Sequence, residues 1–257
     1  MRTLNRWFSI FWNNIPFPII PDNLDNEILV IDAVSVSPRK VVALIGRTKK
    51  HVVNWTFAKS ESSTSWSTFL NPIPKPFAIV CDGQKGMLSA IRGRFPNSKI
   101  QRCVVHIARQ VRIKLTRHPK TEAGKEIKVL IRSLMFVRTK RQKRRWIRRW
   151  RKWCHKHHKF LSEKSYGENQ FGKTKWWYTH KKLRSVRTLI KNSLPDLFTY
   201  VRYPYVPRTT NHVEGGINSR IKELFRRHRG LSIHRKVTLI SWFLSSKQGQ
   251  KPPRNVH

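Results

Sequence analysis

Between Asn26 and His106 short apolar runs alternate with gaps too brief to hold a domain boundary, and this alternation constrains the fold more than any other feature of the chain. Glu27 to Val36 and Lys40 to Arg47 are two such runs, joined across Ser37-Pro38-Arg39, and His51 to Ala58 follows directly after Lys49-Lys50. Three strands with gaps this small predict an antiparallel meander. Ser62 to Leu70 reads as a helix, Pro72 to Pro76 as a loop and Phe77 to Asp82 as the next strand. Gln84 to Arg94 predicts a helix with Leu88 and Ile91 on one side, and Lys99 to Val105 returns as a strand. The predicted order is βββαβαβ, an α/β sheet.

From about Ile107 to Val206 the periodicity becomes helical and the charge extreme. No acidic residue occurs from Ile127 to Ser162. Trp146, Trp150 and Trp153 recur at helical spacing, while Arg144, Arg145, Arg148, Arg149, Arg151 and Lys152 occupy the other faces. The Trp stripe is expected in a core, and the charges are expected along a phosphate backbone, since such density repels itself when uncompensated. The whole chain carries 54 Lys and Arg against 13 Asp and Glu, a formal charge of +41, which favours a polyanionic partner, nucleic acid first. Its 39% apolar content is enough for a real core. No apolar run approaches the roughly 20 residues that span a bilayer, and no membrane partner is expected. Three cysteines, Cys81, Cys103 and Cys154, give no disulfide framework, as in a reducing compartment. A cytoplasmic, nucleoid-associated protein is the expectation.

Beyond Pro204 and Pro207, Thr209 or Thr210 can cap a helix that carries Glu214 in its first turns. Val213, Ile217, Ile221 and Leu224 mark its buried face, so one flank can bear Glu214, Asn218 and Lys222 together. Gly230 stops it after the basic patch Phe225 to Arg229, and Ser232 to Leu244 forms one more helix. The expected division is an N-terminal helical extension (1–25), the first part of a sheet core (26–106), a basic, all-helical insertion (107–207), two helices completing the core (208–245) and a tail (246–257).

In so basic a chain the carboxylates that follow apolar strands stand out. Asp32 follows Ile28-Leu29-Val30-Ile31 and Asp82 follows Phe77-Ala78-Ile79-Val80-Cys81, each expected at or near a strand end. Taken singly, Asp82 before Gly83 could be a turn residue, Asp32 a strand-end ion pair, and Glu214 an electrostatic cap of its helix. Three segments change that weighting: Cys81-Asp82-Gly83-Gln84-Lys85-Gly86, Gln101-Arg102-Cys103-Val104-Val105-His106 and Thr209-Thr210-Asn211-His212-Val213-Glu214-Gly215. With Trp177-Tyr178-Thr179-His180 and Leu194-Pro195-Asp196-Leu197-Phe198-Thr199-Tyr200, they resemble bacterial insertion-sequence transposases of the mutator-like type, over roughly Asp22 to Ser245.

The resemblance implies an RNase H-like core, interrupted by a helical insertion, in which Asp32, Asp82 and Glu214 are catalytic and bind two Mg²⁺ ions, with Mn²⁺ as a substitute. Hard cations take oxygen ligands, and a pair about 4 Å apart assists both oxygens of an in-line phosphoryl transfer. DNA cleavage and strand transfer of an insertion sequence would follow, on element ends and target DNA, by a homo-oligomer on DNA. DNA contacts are expected from Arg144, Arg145, Arg148, Arg149, Arg208, Asn211, Asn218, Lys222, Arg226 and Arg227. Cys103 and His106 have the spacing of a metal pair, and Trp153-Cys154-His155-Lys156-His157-His158 could complete a Zn²⁺ site; structural packing is the competing reading. His180 and His212 are expected to be structural or to touch DNA. Relatives carry a DNA-recognition region ahead of the core, whereas Met1 begins almost at it, so the competing expectation is a catalytically silent DNA-binding remnant that interferes with a full-length enzyme.

Overall fold

The computed structural model describes residues 9, 11–168, 174–210 and 214–248, with the backbone alone at 214 and 215. These fall into two compact units, one holding residues up to Ile100 and from Thr210 onward, the other Gln101–Thr209.

The first unit is built on a five-stranded mixed sheet of order β3-β2-β1-β4-β5. The strands are β1 (Leu24–Ser37), β2 (Val41–Arg47), β3 (Val52–Ala58), β4 (Pro76–Cys81) and β5 (Lys99–Arg102), with α1 (Ser63–Leu70) and α2 (Lys85–Arg94) between the last three. The order βββαβαβ therefore holds. The β1–β2 turn closes with Lys40 N–H donating to the Ser37 carbonyl at 3.0 Å and Arg39 in the left-handed region at φ 58°. β5 stops at Arg102 rather than continuing to Val105, because Val104 already begins the next helix.

Strand alternation gives the sheet two apolar faces. Leu29 and Ile31 pack with Trp66, Phe69 and Leu70 of α1 and Met87 and Ile91 of α2. Val34 and Val36 face the other way, with Ala43, Ile45 and Trp55. That second face is covered by Ile217 and Ile221, in the stretch formed by a π-helical turn (Glu214–Asn218) and α9 (Ser219–Arg227), and by Ile240 and Leu244 of α10 (Ile233–Ser246). The unit is thus a sheet between two helical layers, which is what strands apolar on both faces require. At the N-terminal end residues 11–13 are helical, and the Trp242 indole N–H donates to the Phe11 carbonyl at 2.9 Å.

The second unit contains α3 (Val104–Lys114), α4 (Glu122–Leu134), α5 (Lys140–Lys156), α6 (His158–Ser162), α7 (Lys181–Leu197) and α8 (Thr199–Arg202). Thr139 and Gln142 form a reciprocal capping box that starts α5. The Trp stripe does face inward: Trp146, Trp150 and Trp153 are buried, and the indole N–H groups of Trp146 and Trp153 donate to the Leu130 and Ala123 carbonyls of α4, both at 3.0 Å. Arg144, Arg145, Arg148 and Arg149 are exposed on the opposite side. The expectation of an all-helical insertion is corrected here. β6 (Lys164–Glu168) and β7 (Thr174–Tyr178) form an antiparallel ribbon, as the strand propensity of Thr174 and the aromatics at 176–178 favours.

Gln101 and Arg102 are structural within this unit. Gln101 bonds the Leu197 carbonyl and the Tyr200 N–H, and the Arg102 guanidinium donates to Ser193 Oγ at 2.8 Å. His180 pairs with Glu163 at 2.8 Å and stacks on Phe160. His212 lies outside the described residues. Among those described, no helix is long and apolar enough to cross a membrane.

Candidate active site

Parallel pairing of β1 with β4 directs Asp32 and Asp82 toward the same end of the sheet. The register matches Leu29 to Ile79 and Val30 to Val80, and continued past the end of β4 it would set Asp32 level with Asp82. Neighbouring strands lie about 4.8 Å apart. Asp32 is not at a strand end: β4 finishes at Cys81, whereas β1 runs on to Ser37 paired only with β2, where Asp32 opposes Ile45. The carboxylate therefore sits where β1 loses its parallel neighbour. That is an opening at the carboxyl ends of parallel strands, a usual place for ligands in α/β sheets.

Asp82 is fixed by the turn into α2. Its Oδ1 accepts the Gln84 N–H at 2.9 Å, and Gly83 between them has φ 80°, a conformation that a Cβ would strain. The turn reading and the catalytic reading of Asp82 are compatible, since one oxygen shapes the loop and leaves the other available.

Asp32 is nearly buried, 8% exposed, and its Oδ2 accepts a hydrogen bond from Asn218 Nδ2 at 2.8 Å. Asn218 is itself 4% exposed. Its position one flank along from Glu214 follows the expected spacing, but its amide is turned onto Asp32 and is not displayed for a phosphate. Its Oδ1 is buried with no hydrogen-bond partner among the described residues. Leaving a buried carbonyl oxygen unpaired costs roughly 1–3 kcal/mol, so a ligand for that oxygen is the natural complement. A hard divalent cation fits the donor set of two carboxylates and an amide oxygen.

Glu214 opens the π-helical turn that ends at Asn218, not an α-helix, and its side chain lies outside the description. A π turn takes more residues per turn than an α-helix, so Glu214 and Asn218 stand about one turn apart on the element that delivers Asn218 to Asp32. Of the predicted buried face, Ile217 and Ile221 are buried and Leu224 is half-buried, while Val213 lies outside the described residues, as does Asn211, a predicted DNA contact. Among the described residues no three His, Cys, Asp or Glu side chains are grouped closely enough to hold a metal ion.

Two charged neighbours were not singled out from sequence. Burial, and then the charge of Asp82, push the Glu61 carboxyl above its ordinary value, which places Glu61 in the field of Asp82. The approach depends on Gly86 in α2: a Cβ there would lie 2.9 Å from the Ser63 nitrogen and 3.3 Å from the Glu61 carbonyl oxygen. Arg47, at the end of β2, comes close to the π turn, its Nη1 lying 3.5 Å from where a Cβ on Gly216 would be. Burial lowers the pKa of that guanidinium. Neither residue has a periodicity that would mark it.

The remaining candidates have surroundings of their own. Lys222 and Arg226 are exposed on α9, and Arg227 is exposed but paired with Glu223 at 2.6 Å. Arg208 donates to the Met135 carbonyl at 2.6 Å inside the helical unit. Cys103 is buried and His106 half-buried at the start of α3, and Cys154 is half-buried, its thiol pKa raised by burial.

Residues 27–171, more than half of the chain, match the family described as "Transposase, Mutator family". The chain belongs to the Mutator family of transposases. Among curated relatives it is 30% identical over 118 residues to a protein of Lactococcus lactis subsp. lactis (strain IL1403) named "Transposase for insertion sequence element IS905", covering 43% of this chain and 30% of that one. It is 31% identical over 65 residues to a "Probable transposase for insertion sequence element" of Corynebacterium diphtheriae, covering 23% of this chain and 19% of the relative. The matched stretches thus span less than a third of either relative. For this Mutator-family chain the matched region takes in the sheet, Asp32, Asp82 and the helices through α6.

Proposed function

We propose that this chain is a polynucleotidyl transferase with an RNase H-like core, which cuts DNA at the ends of a mobile element and joins the freed end to a target strand. The observation that carries the proposal is the buried Asn218–Asp32 contact, in which Asn218 Oδ1 has no partner among the described residues, at the point where β1 runs past the end of β4 and Asp82 follows. Asp32 and Asp82 supply the anionic oxygens, Asn218 orients Asp32 through its N–H, and Glu214 is assigned as the third carboxylate. Bound Mg²⁺ or Mn²⁺ would supply the Lewis acidity that lowers the cost of the charged attacking and leaving oxygens.

In the first reaction a water oxygen attacks the scissile phosphorus, the bond to the 3′ oxygen breaks, and that oxygen takes up a proton to become a free 3′-hydroxyl. In the second, the 3′-hydroxyl attacks a target phosphodiester and displaces its 3′ oxygen, conserving the number of phosphodiester bonds. The exposed arginines of α5 offer a surface for DNA phosphates. Two element ends must be joined in one event, so we assign the active form to a multimer. Cys103 and His106 are assigned to packing at the start of α3.

The test is a cleavage and joining assay on DNA carrying the flanking terminal repeats, with Mg²⁺ or Mn²⁺, comparing the native chain with Asp82→Asn. Product from the native chain that is lost in the variant, with DNA binding retained, supports the proposal. A folded native chain that binds DNA with a steep salt dependence and yields no product supports the binding-only alternative.

A further inference from the structure

The β6–β7 ribbon displays its aromatic side chains to solvent, unlike the α5 tryptophans buried in the same unit. Tyr166, Trp176 and Trp177 are 66%, 48% and 37% exposed, whereas Trp146, Trp150 and Trp153 in the same unit are all under 9%. The ribbon is a separate two-stranded sheet, an arrangement that is marginal in water without further support.

The rings are nonetheless held in place. Tyr166 is directly opposite Trp176 in the register, and Trp176 meets Tyr178 edge-on at 5.3 Å. On the other face Trp177 lies over Gly167, where a Cβ would come within 2.9 Å of the indole. Cations attend the rings: Lys164 Nζ is 4.1 Å from the centre of Trp176, Lys181 Nζ is 5.4 Å from Trp177, and the Arg184 guanidinium is 3.3 Å over Tyr178.

From this juxtaposition of exposed, braced aromatic faces and cations, we propose that the ribbon is a binding platform for unpaired DNA bases. The inference rests on the reading that the chain acts on DNA. Phosphates need only cations, and gain nothing from an exposed indole. Base faces are the apolar, π-bearing surface of DNA, and a duplex exposes them only at ends, nicks or extruded nucleotides. Stacking on Trp176 or Trp177 would let Lys164 or Lys181 reach the adjoining phosphate. A second copy of this chain is a poorer occupant, because a ribbon carrying Lys164 and Lys175 beside Lys181 and Arg184 would face its own charge in a chain of +41.

The experiment measures the affinity of the full chain for a labelled oligo(dT) strand and for a closed circular duplex without ends or nicks, across a salt series. The variants are Trp176→Ala/Trp177→Ala and, because that pair braces the ribbon, Tyr166→Ala alone and Trp176→Phe. Loss of stacking is expected to weaken single-strand binding by about 5- to 150-fold per base in the double variant. Tyr166→Ala weakens it less, Trp176→Phe largely preserves it, and duplex affinity and the salt slope stay unchanged. Equal losses on strand and duplex, or no loss in any variant, overturn the proposal while leaving the DNA reading intact. Concentration-dependent self-association abolished by the double variant overturns it in favour of a protein interface. A native chain that binds neither DNA overturns the functional reading itself.

Discussion

Replacing Asn218 by Asp tests the buried contact at Asp32 with a change of a single group. The amide N–H now 2.8 Å from Asp32 Oδ2 becomes an oxygen, so a hydrogen bond to a charged acceptor is exchanged for two carboxylates at contact distance in a site less than a tenth exposed. The lost bond alone is worth roughly 1.5–3 kcal/mol, and setting two like charges against each other in a buried site raises the total to about 3–5 kcal/mol. In a chain of this size that corresponds to a fall in Tm of roughly 6–20 °C. The assay is thermal or urea unfolding in EDTA and again in Mn²⁺ or Mg²⁺. The variant has one more oxygen anion facing the same opening, so the divalent ion is expected to recover more stability in it than in the native chain, about 2.7 kcal/mol at a concentration of 100 Kd. The paired carboxylates also make the loss smaller at acid pH, where one of them takes a proton. If Asn218→Asp is no less stable than Asn218→Ala in EDTA, or unfolds identically with and without the ion, the reasoning about this contact is refuted.

Gly86→Ala places a Cβ 2.9 Å from the Ser63 nitrogen, so α1 and α2 must separate at the turn beside Asp82; a loss of about 1–3 kcal/mol is expected, read as a lower urea midpoint. Glu61 has its pKa raised above 4.5, so the folded chain holds that proton more tightly than the unfolded one. Its favourable contribution is complete below the unfolded value and is lost as pH rises through the folded value. Unfolding midpoints in EDTA should therefore decline across that window in the native chain but not in Glu61→Gln, whose stability near neutral pH should be the higher. Trp146→Ala removes a buried ring and its bond to the Leu130 carbonyl, and a cost of roughly 3–5 kcal/mol should appear as loss of α-helical circular dichroism at a lower temperature.

The sheet and both aspartates were legible because apolar runs of strand length, separated by turn residues, carry their own period. The Trp stripe of α5 was legible for the same reason, with the additional constraint that each large ring must be buried. Register was not legible. Nothing in the spacing of Asp32 says that β4 ends beside it while β1 continues, because parallel partners are chosen by tertiary packing. Asn218 reads as one polar residue on a helix flank, and only the placement of the π turn against β1 turns its amide inward. Glu61 lies in a loop without periodicity, and its proximity to Asp82 follows from the close backbone approach at Gly86. The ribbon was missed because Lys-rich flanks and aromatic residues suit a helix surface as readily as an exposed strand, and its strands bury no face that would impose alternation.

The most direct measurement is anomalous scattering from crystals of the chain grown with Mn²⁺ and a DNA end. The account predicts a peak at about 2.0–2.6 Å from carboxylate oxygens of Asp32 and Asp82, with Asn218 Oδ1 as a further ligand. A peak held by Cys103 and His106, or density in which Asn218 Oδ1 is capped by another protein group and no ion lies between the two aspartates, would contradict it.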